Sequence, residues 1–139
     1  MNLHDLIGYL IHRNDVKMTN YFTKRLKPYG VTPEQWSIMS ILSPNKSTNQ
    51  KDLAKAIHKN QTTVVRMIQS MERKGIVKKT FNKDDRRAHD IMLSQKGEDL
   101  KQTLLPIVTD AHNFVTSNLT SEETLELKRL LDKLYDTTY

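Results

Sequence analysis

Residues 50–93 read QKDLAKAIHKNQTTVVRMIQSMERKGIVKKTFNKDDRRAHDIML, and the patterns in this stretch decide the fold. Residues 50–57 and 61–74 carry apolar side chains at helical spacing, and only three residues separate the two segments. Asn49 and Asn60 immediately precede them. Asparagine is a favoured N-cap because its side-chain oxygen accepts a free backbone N–H of the first helical turn. The stretch therefore opens with two short helices joined by a tight turn, the spacing of a helix-turn-helix.

A β-hairpin is predicted directly after these helices. Gly75 follows the second helical pattern, where glycine commonly ends a helix in the left-handed conformation. Residues 76–81 and 89–93 have the character of strands, and the polar segment 82–88 between them is longer than the usual hairpin loop. A hairpin that follows the second helix of a helix-turn-helix forms a wing, here at about 76–93.

Amphipathic helices flank this region on both sides. Apolar residues spaced by three and four predict one long helix from Leu3 to Leu26. Thr32-Pro33-Glu34-Gln35 has the pattern of a capping box, with proline at the first helical position, and it opens a second helix. Two more helices follow, one over 95–119 and one after a second capping box at Thr120.

The predicted fold class is mainly α with a small β-hairpin wing. At 139 residues the chain fits one domain with a single core. Residues 33–94 form the predicted winged helix-turn-helix, with the recognition helix at about 61–74. Residues 1–32 and 95–139 form a helical region with more leucine faces than one thin winged domain can cover. Exposed apolar stripes usually meet a partner, so this region predicts a homodimer.

The excess positive charge lies in one block of the chain. The whole sequence has 22 Lys and Arg residues against 16 Asp and Glu residues. Residues 46–87 hold 12 of the basic and 4 of the acidic residues, while the other 97 residues are slightly acidic. Such a block favours a polyanionic partner, and double-stranded DNA is expected over a membrane because no continuous basic amphipathic helix is present. The alternative is a surface that is merely basic and solvated.

Several classes of function are disfavoured by what the sequence lacks. It contains no cysteine, so disulfides, thiolate metal sites and cysteine nucleophiles are excluded. Leu104–Val108 is among the longest apolar runs and is far too short to cross a bilayer. His4 and Asp5 stand where a signal peptide would have basic and then apolar residues, so a cytoplasmic protein is expected. We expect no metal ion and no cofactor.

The predicted recognition helix carries side chains that can read DNA. Gln61, Thr62 and Thr63 fall on its first turn, and Arg66 lies one turn further on. Gln and Arg can make bidentate hydrogen bonds to adenine and guanine edges, whereas Thr can contact a phosphate or a thymine methyl group. The alternative for Arg66 is a solvated or salt-bridged arginine on a helix surface. The alternative for Gln61 and the two threonines is that they are ordinary residues of a helix start. An apolar stripe on the same helix would face the core, formed by Val64, Ile68 and Met71.

The tip of the wing adds two further arginines. Arg86 and Arg87 can enter the minor groove, where narrow A·T tracts concentrate negative potential. Asp85 would repel the phosphates on its own, so its expected role is to orient an arginine through a charge-assisted hydrogen bond. The alternative is a loop that is simply solvated.

Five segments together form a recognisable pattern: Leu53-Ala54-Lys55-Ala56-Ile57, Gln61 through Arg66, Met71-Glu72-Arg73-Lys74-Gly75-Ile76-Val77, Asp85-Arg86-Arg87-Ala88 and Leu93-Ser94-Gln95-Lys96-Gly97. The Asp-Arg-Arg wing followed by Leu-Ser-x-x-Gly is the most specific. On these segments the sequence resembles the MarR/SlyA family of winged-helix transcription regulators over nearly its whole length. The resemblance implies a homodimer that binds a pseudo-palindromic operator, with Arg66, Arg86 and Arg87 on the DNA.

The resemblance also raises the question of a small-molecule effector. Many members bind aromatic carboxylates between the dimer helices and the winged domain. Lys27 and Trp36 match positions that line this pocket in SlyA-like members, whereas Val16 and Thr19 stand where those members have basic residues. Trp36 is alternatively a core aromatic. Lys59 occupies a turn position where the family usually buries an aliphatic side chain.

Two rival functions remain. An enzyme is disfavoured because the five histidines are scattered and no glycine-rich phosphate loop is present. Asp84 and Asp85 could suggest a metal-dependent nuclease, but a hairpin tip is a poor place to exclude water. The second rival is a winged helix that binds another protein. It would explain the fold but not the basic block. The prediction is therefore a sequence-specific DNA-binding regulator, most simply a repressor.

Overall fold

The computed structural model describes residues 1–81 and 89–137. Six α-helices and three short strands lie within these residues. In chain order they are α1 (Ile7–Leu26), α2 (Pro33–Ile41), β1 (Thr48–Asn49), α3 (Gln50–Ala56), α4 (Gln61–Arg73), β2 (Val77–Phe81), β3 (His89–Leu93), α5 (Gln95–Val115) and α6 (Ser121–Tyr135). The mainly helical class with a small β-hairpin, predicted from the sequence, is confirmed.

The strands form a three-stranded antiparallel sheet in the order β1-β3-β2. Val77 pairs with Leu93 at one end of the β2–β3 hairpin, and Phe81 pairs with His89 at the other. The sequence predicted only the hairpin, so β1 is an addition. Its two residues pair with Asp90 and Ile91 of β3. A strand this short has no periodicity to detect, and only the fold brings it beside β3.

The hydrophobic core lies between the helix-turn-helix, the sheet, α2 and the first half of α5. Its largest fully buried side chains come from every one of these elements: Leu26, Ile38, Met39, Leu42, Leu53, Val64, Ile68, Met71, Ile91, Leu93 and Leu104. Burying a side chain of this size stabilises a fold by about 1.5–3 kcal/mol. The base of the wing is therefore anchored in the same core as the recognition helix.

The N-terminal helix is shorter than its apolar pattern predicts. Leu3–Asp5 form a separate 3-10 turn capped by Asn2, and Leu6 is extended with φ −84° and ψ 119°. The helical pattern is continuous in the sequence, but the Asn2 cap stabilises a local turn that ends before α1 begins. At the other end, the chain leaves through a second 3-10 turn and reaches Gly30 at φ 70°.

A close backbone approach joins α5 to the wing. A Cβ on Gly97 would stand 2.0 Å from the carbonyl oxygen of Ile76, so only glycine fits there. Ser94 caps α5 by accepting a hydrogen bond from the Gly97 N–H at 3.0 Å, and its hydroxyl contacts the carbonyl oxygens of Gly75 and Ile76. These contacts hold the start of the hairpin against the start of α5.

Two contacts connect the C-terminal half of α5 to α1. Arg25 donates to a carboxylate oxygen of Asp110 at 2.9 Å, and the rings of Tyr21 and Phe114 stack with centroids 4.8 Å apart. Hydrogen bonds to the Tyr21 hydroxyl and to Asp110 raise the pKa of Arg25 above its ordinary value. Residues 85 positions apart in the sequence are thus linked.

Helix α6 has no buried residue of its own. Its apolar side chains are between 42% and 67% exposed: Leu125, Leu127, Leu130, Leu131, Leu134 and Tyr135. Near its end Tyr135 makes an edge-on ring contact with His58 in the turn before α4, with centroids 5.8 Å apart. In the described part of the chain, no helix is long and apolar enough to cross a membrane.

Candidate nucleic-acid interface

Helix α4 presents one face to the core and the other to solvent. The side-chain oxygen of Asn60 accepts the backbone N–H of Thr63 at 2.8 Å, which starts the helix at Gln61 as predicted. Val64, Ile68 and Met71 are completely buried, as their spacing predicts. Because these three side chains occupy the inner face, the residues on the opposite face of the helix point away from the core.

The four predicted base-reading residues lie at the exposed start of α4. Gln61, Thr62 and Arg66 are exposed, and Thr63 is half-buried. Among the residues that the structure describes, Arg66 has no ion-pair or hydrogen-bond partner, so its five donors are available to a ligand. The helix N-terminus also directs its free backbone N–H groups outward, which favours phosphate at this end.

Helix α3 packs against α4. Leu53 and Ala54 of α3 are buried in the common core. The turn between the helices contains His58 in the left-handed region, at φ 56°, the one positive φ that a described residue other than glycine adopts. Lys59 is exposed in this turn, where an aliphatic side chain would usually be buried. The turn therefore adds a cation next to the start of α4.

The structure separates the cations of the basic block into two groups. Lys74 donates to the carbonyl oxygen of Gly30 at 2.6 Å, and Lys79 lies 3.8 Å from Glu72, so both are engaged within the protein. The others described are exposed and have no such partner within 1–81 and 89–137: Lys46, Lys51, Lys55, Lys59, Arg66, Arg73 and Lys78. These seven can exchange condensed counterions for phosphate contacts.

The sequence analysis did not single out Lys51 and Lys55 as site residues. They are four residues apart on α3, so they share one exposed face, and Lys59 follows at the same interval. This interval of four was the signal that could have identified them. They are candidate phosphate-binding residues beside the predicted base-reading residues.

An open cavity of about 380 Å³ lies beside Arg66. Its lining combines the start of α2, the turn and α4, and includes Thr32, Glu34, Lys59, Thr63 and Arg66. One carboxylate and two cations therefore share this surface. It is continuous with the predicted base-reading face of α4.

The β2–β3 hairpin leaves the core toward its tip. Arg86 and Arg87, the predicted minor-groove residues, and Asp85, their predicted support, lie outside the described residues. The described part of the hairpin ends at Phe81 and His89. Both side chains are exposed, Phe81 by 80%. The sequence analysis did not identify either as a site residue.

A cavity lies between α1 and α2, and the two residues predicted for an effector pocket, Lys27 and Trp36, are not among those that line it. Lys27 is exposed on the 3-10 turn after α1, and Trp36 is half-buried against the core from α2. That cavity measures about 420 Å³ and has a different lining: Asp15, Val16, Thr19, Asn20, Pro33, Glu34, Ser37, Ile57 and Lys59. Its charged groups are two carboxylates and one ammonium.

No group of three or more His, Asp or Glu side chains that could hold a metal ion is found among residues 1–81 and 89–137.

Comparison with known proteins shows a likeness to one family. Residues 31–89, from the start of α2 to the return strand of the wing, match the model of the MarR family. The chain is also similar over almost its full length to solved MarR-family structures. The winged region of this chain is therefore similar to the MarR family. The family resemblance seen in the sequence is thereby confirmed.

Three solved structures illustrate the likeness. A mutant of E. coli MarR complexed with operator DNA is 25% identical, with a TM-score of 0.87 and coverage of 96% of this chain and 98% of that one. The transcriptional repressor CouR, bound to a 23-mer DNA duplex, is 26% identical, with a TM-score of 0.88 and coverage of 96% and 94%. Bordetella bronchiseptica BpsR, at 20% identity and a TM-score of 0.90, shares the fold over 98% and 97% of the two chains.

Proposed function

We propose that this protein is a transcriptional repressor that binds a specific double-stranded DNA operator as a homodimer. The observation that carries the proposal is the outward face of α4, where Gln61, Thr62 and Arg66 are exposed at the helix start and Arg66 is unpaired among the described residues. A helix of this kind fits the major groove, and the seven exposed cations of the basic block supply phosphate contacts. Solved relatives with this fold are bound to DNA.

The homodimer is supported by the apolar side chains that one copy leaves uncovered. None of the 15 residues of α6 is buried within the described chain, although a helix of about this length is marginal alone in water. Leu6, Ile7 and Ile11 are also exposed near the start of the chain. A second copy that packs its own α1 and α6 on these faces would cover both sets of side chains.

A two-fold dimer sets the form of the operator. Two recognition helices would enter successive major grooves about 34 Å apart on one side of the duplex, and the operator would be pseudo-palindromic. Repression follows most simply from exclusion, because a dimer on both half-sites occupies DNA that polymerase needs.

The wings complete the proposed DNA contact. Arg86 and Arg87 would enter the minor groove on either side of the recognition helices, with Asp85 orienting one of them. The hairpin is anchored at its base by the buried Val77 and Leu93.

We also propose that a small aromatic effector releases the protein from its operator. Lys27 lies on the 3-10 turn after α1, and Trp36 lies on α2 next to residues that line the cavity between these helices. In BpsR, a protein of the same fold, 6-hydroxynicotinic acid regulates DNA binding. A ligand wedged between α1 and α2 would alter the distance between the winged domain and the dimer helices.

The test measures binding of the purified protein to the DNA upstream of its own gene and to a scrambled duplex, across a salt series. Strong preference for one duplex, with affinity falling steeply as salt rises, supports the proposal and counts the phosphate contacts. If the protein binds both duplexes equally, the next step is to select its binding sequence from a random duplex library. Failure to bind any duplex even at low salt contradicts the proposal and favours a protein partner.

A further inference from the structure

Two aromatic side chains meet at the outer end of the described hairpin. Phe81 is the last residue of β2, His89 is the first of β3, and the two are direct partners in the strand register. Their ring centroids are 5.6 Å apart and the ring planes are tilted by 50°. At 80% exposure Phe81 buries little surface within the described chain, so folding does not account for an aromatic side chain here.

The direction of these side chains follows from the alternation along β2. Val77 is buried, and Lys79 reaches Glu72 of α4 at 3.8 Å, so odd-numbered residues of this strand point to the side on which α4 lies. Phe81 and, across the register, His89 continue this face beyond the core. We define Phe81 and His89 as the hairpin-end pair. It lies on the side of the hairpin that faces the recognition helix.

We propose that the hairpin-end pair binds the sugar-phosphate strand that separates the two grooves. This inference rests on the proposed function. With α4 in the major groove and the wing tip in the adjacent minor groove, the strand between those grooves must pass the inner side of the hairpin. The Phe81 ring packs on a deoxyribose, and an imidazole N–H of His89 donates to the neighbouring phosphate.

The chemistry of the pair suits a backbone contact rather than base reading. A phenyl ring has no hydrogen-bonding group and therefore cannot match a base edge, whereas every deoxyribose presents the same apolar surface. Lys78 on the outer face supplies positive potential along the strand. The contact is thus expected to add affinity without sequence preference.

The experiment compares Phe81→Ala, His89→Ala and Thr80→Ala by fluorescence anisotropy. The probes are a duplex selected by the wild-type protein from a random library and a shuffled duplex of the same composition. Thr80→Ala is the matched control because Thr80 lies on the opposite face of the same strand. Phe81→Tyr keeps the ring and tests for rescue.

Loss of the Phe81 contact should weaken binding to both duplexes by about tenfold and leave their ratio unchanged. His89→Ala should act in the same way, while Thr80→Ala and Phe81→Tyr should bind as the wild type does. The thermal midpoint of Phe81→Ala should match the wild type, because the ring is mostly exposed.

Wild-type affinity in Phe81→Ala would overturn the inference, and so would a change in the ratio between the two duplexes, since that would indicate base reading or insertion. With either of these results for Phe81→Ala, a loss of affinity in Arg66→Ala would still support the proposed function. If the selection recovers no duplex, the proposed function and this inference fail together.

Discussion

Arg66 differs from Arg25 and Arg129 in having no ion-pair or hydrogen-bond partner among the described residues. Arg25 is held by Asp110 and Arg129 by Glu126, each within hydrogen-bond distance of a carboxylate oxygen. Arg129 in turn lowers the pKa of Glu126 through its hydrogen bond. In the described chain, nothing comparable faces Arg66. A guanidinium left unpaired on an outward helix face keeps its planar donor set for bidentate recognition.

Arg66→Ala should relax base preference and cost about 1–3 kcal/mol of binding to the selected operator. The reason is the loss of a bidentate contact to one base, so the effect should be confined to particular operator positions. The measurement is affinity for a set of single-base operator variants. Arg73→Ala, at the far end of the same helix, is the control and should leave base preference intact. Unchanged discrimination in Arg66→Ala would exclude a base-reading role.

Gly97 is the residue with the least room for a side chain. Gly97→Ala should destabilise the protein by at least about 2 kcal/mol, because its Cβ would clash with the carbonyl oxygen of Ile76, and backbone cannot move aside cheaply. Denaturant unfolding measures the loss. Gly8→Ala is the control: nothing lies within 4 Å of a Cβ there, and alanine is the better helix former, so stability should hold or rise slightly. Equal stability of both variants would contradict the packing described here.

At the scale of elements, side-chain caps account for where helices begin. Thr32, Asn49, Asn60, Ser94 and Thr120 each accept a backbone N–H of the first turn. These starts were predictable because a cap acts over three residues of sequence. The start of α1 was predicted wrongly, since the apolar spacing of Leu3 and Leu6 continues through a segment in which Asn2 stabilises a separate turn.

Removing the N-cap of the recognition helix should lower both the stability of the protein and its affinity for DNA. Asn60→Ala should cost about 1 kcal/mol of folding free energy and weaken binding, because the first turn that carries Gln61 and Thr62 would fray. Asn60→Ser retains a capping oxygen and serves as the control for both measurements. Thermal unfolding and anisotropy titration report the two effects. Full affinity in Asn60→Ala would show that the order of this turn is not needed for binding.

At the scale of the whole molecule, the helical ends and the winged region differ in how well they are buried. The core takes Leu26 and Leu104 from the long helices and joins them to the sheet and α4. Beyond that core, α6 exposes a stripe of four leucines along one side: Leu127, Leu130, Leu131 and Leu134. One chain alone therefore has a complete core and an uncovered apolar surface, which the proposed dimer would bury.

Leu130→Lys should dissociate the dimer, because it would place an ammonium group in the apolar interface without a partner. The measurement is molar mass by light scattering over a concentration series, with a dimer expected for the wild type. Asp132→Lys introduces the same side chain on the opposite side of α6 and should remain dimeric. A wild-type monomer, or a Leu130→Lys dimer of unchanged affinity, would remove α6 from the interface.

The sequence by itself determined the order of the elements, most helix starts, the buried stripe of α4 and the basic block, because each depends on neighbours within a few residues. Tertiary structure alone decided that Thr48 and Asn49 pair with β3, that Lys74 is engaged by Gly30, and that Phe81 projects on the same side as α4. These features join residues far apart in the chain. Their distances depend on how whole elements pack, and spacing along a sequence does not encode that packing.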